Sequence, residues 1–147
     1  MRFLHQLWLR GCVWLMASLD TNVLVRWLVD DDPAQSETVR RLMEQAVARE
    51  EPLFMSSTVL LELEWVLRTS YGCSKPDVLQ MFNALLESRE LVFENEAAVE
   101  RALNLYRVGN ADFGECLHVG IAGAALQGPM WTFDRKAARL SGAQLLT

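Results

Sequence analysis

Residues 16–33 have the sequence MASLDTNVLVRWLVDDDP, in which one acidic residue, Asp20, interrupts an apolar stretch. The segment Met16 to Leu19 is predicted to be a short buried strand that ends at Asp20. After Asp20 the apolar residues recur at intervals of three and four, which is typical of a helix. The acidic run at residues 30–32 is expected to be a solvated helix end, and Pro33 suits the first position of the next helix.

The same alternation of short apolar segments and amphipathic helices continues along the chain. Further strands are predicted in the sequences LFMS (53–56), ELVFE (90–94), GPMWTFD (128–134) and AQLL (143–146). Helices are predicted between them, over about 39–47, 57–69, 78–86, 97–108 and 113–126, with a short one at 135–142. Short, nearly continuous apolar strands are typical of a parallel sheet covered on both faces. We therefore expect an α/β fold, a three-layer α/β/α sandwich with a central, mostly parallel sheet.

The composition limits the kinds of function. The chain has 147 residues, of which 51% are hydrophobic, enough for the core of one domain. Acidic residues outnumber basic ones, 19 to 14, so the formal net charge is −5. A protein that binds nucleic acid mainly by neutralising phosphates would usually be basic. Any nucleic-acid role must therefore depend on a local site, and we expect that site to hold a cation.

The three cysteines favour neither a disulfide framework nor a zinc site, because they are far apart and form no CxxC motif. The first fifteen residues, MRFLHQLWLRGCVWL, resemble a weak signal peptide. Arg10 interrupts their apolar run, which leaves it too short to span a membrane. We expect 1–15 to be an extension of uncertain status and 16–147 to be a single domain. No membrane association is expected, and the predicted location is the cytoplasm.

Acidic residues fall at positions where the predicted fold would bring them together. Asp20 and Asp134 each close a strand, and ligands of an open parallel sheet bind at the carboxyl ends of its strands. Asp112 and Glu115, in NADFGECLHV, are three residues apart and share a face of one helical turn. Glu62 lies on an otherwise apolar helix and is expected to be buried at the same edge.

Five carboxylates at one edge would repel one another strongly unless a cation lay among them. A ligand set made only of oxygen atoms suits Mg²⁺ or Mn²⁺. Taken singly, each acid also has an ordinary structural explanation. Asp20 and Asp112 suit helix caps, Asp134 suits a plain turn, Glu115 suits a solvated first turn, and Glu62 would be exposed if the helix phase were shifted.

Four motifs together resemble the PIN-domain family. They are LDTNVLVRWL (19–28), VLLELEWVLR (59–68), ADFGECLHVGIA (111–122) and TFDRKAARLSG (132–142), in the order and spacing of that family. The resemblance is greatest to the VapC-like toxins of bacterial type II toxin–antitoxin systems. It implies a Mg²⁺-dependent endoribonuclease with Asp20, Glu62, Asp112, Glu115 and Asp134 as catalytic acids, the metal being held by all of these except Glu62.

The resemblance also implies supporting residues and partners. Thr21, Asn22 and Thr132 flank the acids and are expected to orient them by hydrogen bonds. Arg26, Arg68 and Arg135 flank the motifs and are candidates for contacts with RNA phosphates. The family pairs with a small antitoxin that covers the active site and commonly forms homodimers.

The chain departs from the family pattern at one position. Glu115 stands where the family's DFxD motif ends in Asp, so its carboxylate is displaced by about one methylene, roughly 1.5 Å. Because Mg²⁺ demands near-ideal octahedral geometry, the metal number or affinity could differ.

Two alternatives remain open. One is a non-catalytic PIN-like binding protein with a site weakened at Glu115. The other is a phosphoryl-transfer domain, but DTNVL lacks a second Asp and Lys136 follows Asp134 too closely for that class.

Overall fold

The computed structural model describes residues 16–147, and the extension predicted for 1–15 lies outside the described residues. The helices are α1 (Thr21–Leu28), α2 (Pro33–Arg49), α3 (Ser57–Thr69), α4 (Lys75–Glu87), α5 (Glu96–Val108) and α6 (Phe113–Ala124). The strands are β1 (Leu53–Met55), β2 (Leu91–Phe93), β3 (Met130–Thr132) and β4 (Ala143–Leu145), with a 3₁₀ turn at Ala137–Arg139. None of the helices within 16–147 has both the length and the apolar character needed to cross a membrane.

All strand pairing between these elements is parallel, which confirms the predicted α/β class. β1 pairs with β2, placing Leu53 opposite Leu91. β3 pairs with β4, placing Met130 opposite Ala143. The hydrogen bonds thus join the four strands as two parallel pairs.

The strand predicted for Met16 to Leu19 is shorter and less buried than expected. It is reduced to one parallel bridge between Ser18 and Phe54, flanked by two backbone hydrogen bonds of 2.9 and 2.7 Å. Of its four residues only Leu19 is buried. The Asp20 carboxylate still lies at the end of a segment that pairs with β1.

Side-chain caps determine where several helices begin. Asp20 accepts a hydrogen bond from the Val23 backbone N–H at 3.1 Å and caps α1. Ser56 caps α3. Ser74 and Asp77 form a reciprocal capping box, so α4 begins at Lys75, three residues before the predicted start.

The acidic run at residues 30–32 is not simply solvated, as the sequence suggested. Asp32 accepts a hydrogen bond from the Gln35 N–H at 3.1 Å and caps α2, with Pro33 at the first helical position as predicted. Asp31 forms an ion pair with Arg26 at 3.0 Å and accepts a hydrogen bond of 2.7 Å from the Tyr71 hydroxyl. These acids therefore fix the junction between α1 and α2 and the end of α3.

A cluster of aromatic side chains fills the core where α4, α5 and α6 meet. Phe82 and Phe113 are fully buried, with ring centroids 5.3 Å apart in an edge-to-face arrangement. Tyr106 packs in the same way on Phe113, at 5.7 Å. Since Phe113 is the first residue of α6, this cluster also fixes the position of Asp112 immediately before it.

Helices α5 and α6 approach closely at Gly120, and this contact gives a testable prediction. A Cβ atom on Gly120 would lie 2.5 Å from the Ala98 carbonyl oxygen, which is backbone and cannot move away. We expect Gly120→Ala to lower the free energy of unfolding by about 1–3 kcal/mol, measured by urea denaturation.

Gly123→Ala, on the same helix, is the matched control. Its Cβ would meet only the guanidinium of Arg101, an exposed side chain that can shift. Because alanine also favours helix over glycine, this variant is expected to be neutral or slightly stabilising. Equal losses in both variants would contradict the close approach.

Candidate functional site

The beginning of α1 is tied to α3 by one hydrogen bond between side chains. The Thr21 hydroxyl donates to Glu62 Oε2 at 2.9 Å. Thr21 is buried, whereas Glu62 is exposed. The bond therefore holds an accessible carboxylate next to the segment that carries Asp20, and it is a contact of the kind predicted for Thr21.

The prediction that Glu62 is buried was wrong, and the buried acid of α3 is Glu64. Glu64 is only 4% exposed, and its Oε1 accepts a hydrogen bond from Arg68 Nε at 3.0 Å. The physical reason is the phase of α3, whose buried stripe runs through residues 60, 63, 64 and 67. The spacing of Glu64 and Arg68, four residues apart, was the sequence signal that could have shown this pairing.

Asp112 and Glu115 lie together at the start of α6. Asp112 Oδ1 accepts a hydrogen bond from the Glu115 backbone N–H at 2.8 Å, so Asp112 caps the helix. Glu115 is half-buried. Burial raises the pKa of the Glu115 carboxyl, and the negative charges of Asp112 and Asp134 raise it further, against a smaller opposing effect of His118. The carboxylates of Asp112 and Glu115 at the start of α6 are thus close enough to that of Asp134, after β3, for repulsion.

Asp134 lies in the turn that follows β3. It is exposed, and its Oδ1 accepts hydrogen bonds from the backbone N–H groups of Ala137 (2.9 Å) and Lys136 (2.7 Å), which lower the pKa of its carboxyl. The Asp134 N–H donates to Thr132 Oγ1 at 3.0 Å. Thr132 therefore supports the turn that presents Asp134.

A cleft between α3 and α6 connects the two halves of this acidic region. It has a volume of about 370 Å³, and both Glu62 and Asp112 line it. The two helices are in contact here, since a Cβ on Gly114 would lie 3.4 Å from the Leu61 side chain. Glu62 and Asp112 therefore face a common space.

The other predicted site residues differ in exposure and in hydrogen bonding. Arg26 is engaged by Asp31 and Gln35, with its Nε 2.6 Å from the Gln35 side-chain oxygen, and this favours a structural role for it. Arg135 and Asn22 are exposed. For Asn22, the part of the chain described here offers no side-chain hydrogen-bond partner that would let it orient an acid.

The predicted metal ligands have suitable chemistry but are not grouped closely enough to form a metal site. Within 16–147, no three His, Cys, Asp or Glu side chains are grouped so that they could hold an ion, so the structure shows no metal site among them. The donor chemistry nevertheless fits a hard divalent cation, since every predicted ligand is a carboxylate. The repulsion around Glu115 is the situation that a bound cation would relieve.

Comparison with known proteins identifies the family of the chain. The family model of the PIN domain matches residues 17–143. The chain belongs to the PIN-domain family. It is also similar to a protein described as VapC ribonuclease, from Aquifex aeolicus (strain VF5), with 26% identity over 102 residues that cover 69% of this chain and 75% of the relative. No solved structure gave a significant match. The predicted family and the PIN-like α/β fold are thereby confirmed.

The raised pKa of Glu115 predicts how the stability of this PIN domain depends on pH. A carboxyl whose pKa is higher in the folded than in the unfolded state binds more protons when folded, so its charge destabilises the fold as the pH rises. In EDTA, Glu115→Gln should therefore raise the melting temperature at neutral pH. The gain should shrink as the pH falls below the folded pKa towards the usual glutamate value.

The measurement is the difference in melting temperature between the two proteins from acid to neutral pH. Taking the difference removes the contributions of other carboxyls. Glu87→Gln, at an exposed position in the last turn of α4, serves as the control and should give no such trend. A difference for Glu115→Gln that stays constant with pH would contradict the repulsion between the carboxylates.

Proposed function

We propose that this PIN domain is a Mg²⁺- or Mn²⁺-dependent endoribonuclease and the toxin of a VapBC-type toxin–antitoxin system. The observation that carries the proposal is that acids from separate chain segments lie near one another in pairs. Glu62 is held beside the Asp20 segment, Glu62 shares a cleft with Asp112, and Glu115 is repelled by Asp112 and Asp134. The similarity to a protein named VapC ribonuclease supports the same reaction.

In this proposal four of the five acids bind the cation and the fifth has a different role. Asp20, Asp112, Glu115 and Asp134 would bind it directly, and Glu62 completes the catalytic set. A divalent ion in such a site lowers the pKa of a bound water and stabilises charge on the leaving oxygen of a phosphodiester. Thr21 keeps the Glu62 carboxylate oriented, and Thr132 keeps the Asp134 turn in place.

The overall negative charge of the chain does not oppose RNA binding in this scheme. The net charge is −5, but a bound cation would neutralise the acids locally. Arg68 and Arg135 are proposed to contact RNA phosphates on either side of the acids. Arg26 is a weaker candidate, because Asp31 and Gln35 already engage its guanidinium.

RNA cleavage by the purified chain tests the proposal. We expect cleavage of single-stranded RNA in Mg²⁺, its loss in EDTA, and its return when Mn²⁺ is added in excess. Cleavage should be lost in EDTA because the acids without a cation would repel the substrate phosphate. Cleavage that persists unchanged in EDTA would contradict the metal-dependent mechanism.

The proposed partners follow from the same family. We propose a small antitoxin that covers the acidic cleft, a homodimer, and a cytoplasmic location. Co-expression with the neighbouring reading frame should recover a complex, and light scattering should give twice the chain mass; free monomer in both experiments would refute these proposals.

A second candidate function is a PIN domain that binds RNA or a protein without cutting. The observation in its favour is that residues 16–147 contain no assembled group of three metal-ligating side chains. The two candidates differ in metal binding, because a site that has lost its activity should take up little Mn²⁺.

A further inference from the structure

The cleft between α3 and α6 contains side chains that metal binding does not require. Glu62 and Asp112, on its wall, belong to the proposed catalytic set. Glu64, Trp65 and Arg68 also line it and have no place in that set. They are next to the acids, so any substrate bound at the acids would extend over them.

Trp65 presents a large aromatic surface to solvent at this position. It is 55% exposed, although α3 already buries Leu60, Leu63 and Leu67 against the core. Packing of the helix therefore does not account for the indole. Isolated exposed aromatic residues are common, and exposure alone does not indicate a binding site. Here it lies in the same cleft as a fixed cation.

That cation is Arg68, which a buried carboxylate holds in place. Arg68 Nε lies 3.0 Å from Oε1 of Glu64, a residue only 4% exposed. The Arg68 side chain itself is 49% exposed. Among the described residues its two terminal nitrogens have no recorded hydrogen-bond partner. A guanidinium fixed through Nε, with its outer donors facing a cleft, suits an oxyanion such as phosphate.

We propose that this cleft is a subsite for one unpaired RNA nucleotide beside the scissile phosphate, whose base stacks on Trp65 and whose phosphate pairs with Arg68. The inference rests on the proposed ribonuclease function and adds to it the two side chains that hold the nucleotide beside the cleaved bond. Bases are available for stacking on aromatic side chains only where the strand is unpaired. RNA is the occupant because the cleft continues from the proposed catalytic acids Glu62 and Asp112. Once the proposed cation neutralises those two acids, the outer nitrogens of Arg68 are the donors in the cleft that suit a phosphate.

Abasic substitution tests the stacking directly. A short single-stranded RNA with a mapped cleavage position is prepared with the base removed at each neighbouring position in turn. Cleavage by the full chain is measured in Mg²⁺ as kcat/KM. For the wild type, one abasic position should lower kcat/KM by about 5- to 100-fold, the range expected for loss of one base stack.

The variants of Trp65 locate that stack. Trp65→Ala should lower kcat/KM on intact RNA by a similar factor. Removing the base at that position should then cause no further loss of kcat/KM in this variant. Trp65→Phe, which keeps an aromatic face, should retain most of the activity. Trp131→Ala is the matched control: it is 56% exposed on β3, and strand alternation directs it to the face opposite Thr132. It should behave like the wild type.

The charge of Arg68 is tested by salt dependence. Removing Arg68 alone would leave Glu64 buried without a partner, so the double variant Glu64→Gln/Arg68→Gln is used. Its plot of log(kcat/KM) against log salt concentration should be shallower by about 0.7, the slope lost with one phosphate contact on a single strand. An unchanged slope would remove Arg68 from the subsite.

The failure of this inference is distinguishable from failure of the proposed function. If the wild type cleaves RNA but Trp65→Ala cleaves it equally well, or keeps the abasic penalty, the subsite is refuted and the ribonuclease stands. If the wild type cleaves no RNA in Mg²⁺, both are refuted. If Trp65→Ala keeps wild-type kinetics but no longer binds the antitoxin, the cleft is a protein-docking site and not an RNA subsite.

Discussion

Replacing Asp112 with Asn is expected to reduce RNA cleavage by at least about 100-fold while leaving the fold intact. Removing a residue that only supports a metal ligand typically lowers metal affinity or activity about 10- to 100-fold. The loss for Asp112→Asn should be at least as large, because a direct ligand would lose its charge. The fold should survive because Asn caps helices about as well as Asp, and Asp112 Oδ1 accepts the Glu115 N–H at the start of α6. The measurements are kcat/KM in Mg²⁺ and the melting temperature in EDTA.

Asp30→Asn is the matched control for this variant. It makes the same change in charge at an exposed position between α1 and α2, outside the acidic region. Its cleavage rate should equal that of the wild type. An Asp112→Asn protein that is folded and cleaves as fast as Asp30→Asn would exclude Asp112 from the catalytic set.

Removing the aromatic ring of Phe113 is expected to have the largest effect on stability. Phe113 is fully buried and packs edge-to-face against Phe82 and Tyr106, at 5.3 and 5.7 Å. Phe113→Ala would leave a cavity where α4, α5 and α6 meet. We expect the free energy of unfolding to fall by about 3–5 kcal/mol, measured by urea denaturation.

Phe133→Ala provides the comparison for Phe113→Ala, because it deletes the same ring at a position that is 78% exposed. Its unfolding free energy should stay within about 0.5 kcal/mol of the wild type. Similar losses in the two variants would mean that the aromatic cluster does not hold the three helices together. Because Phe113 follows Asp112 directly, the same cluster keeps the first acid of α6 in position.

Features that depend on local sequence could be predicted well. The caps Asp20 and Asp112 precede α1 and α6 as their sequences indicated, and Pro33 begins α2. Caps, prolines and apolar periodicity act within one helical turn, so their effect is readable without tertiary structure. The parallel pairing of β1 with β2 was predictable for a similar reason, since the helices α3 and α4 form the crossover between them. The connection from β3 to β4 contains only the 3₁₀ turn, so its sequence carried a weaker signal.

Features that depend on packing between distant segments could not be predicted. The choice between Glu62 and Glu64 as the buried acid depends on which face of α3 meets the core, and Tyr106 on α5 approaches Glu64 on the inner side. The engagement of Arg26 depends on Tyr71, which is 45 residues away in sequence. Such pairings are fixed only once the helices have packed, so the sequence could not show that Arg26, a candidate for RNA contact, is engaged by other side chains of the domain.

Calorimetric titration with Mn²⁺ tests most directly whether the acids form a metal centre. The wild type and Asp30→Asn should each bind one or two Mn²⁺ per chain, and binding should weaken as the pH falls, because the raised pKa of Glu115 makes protons compete with the metal. Asp112→Asn should bind Mn²⁺ far more weakly. Absence of binding by the wild type, or equal binding by the wild type and Asp112→Asn, would contradict the proposed centre.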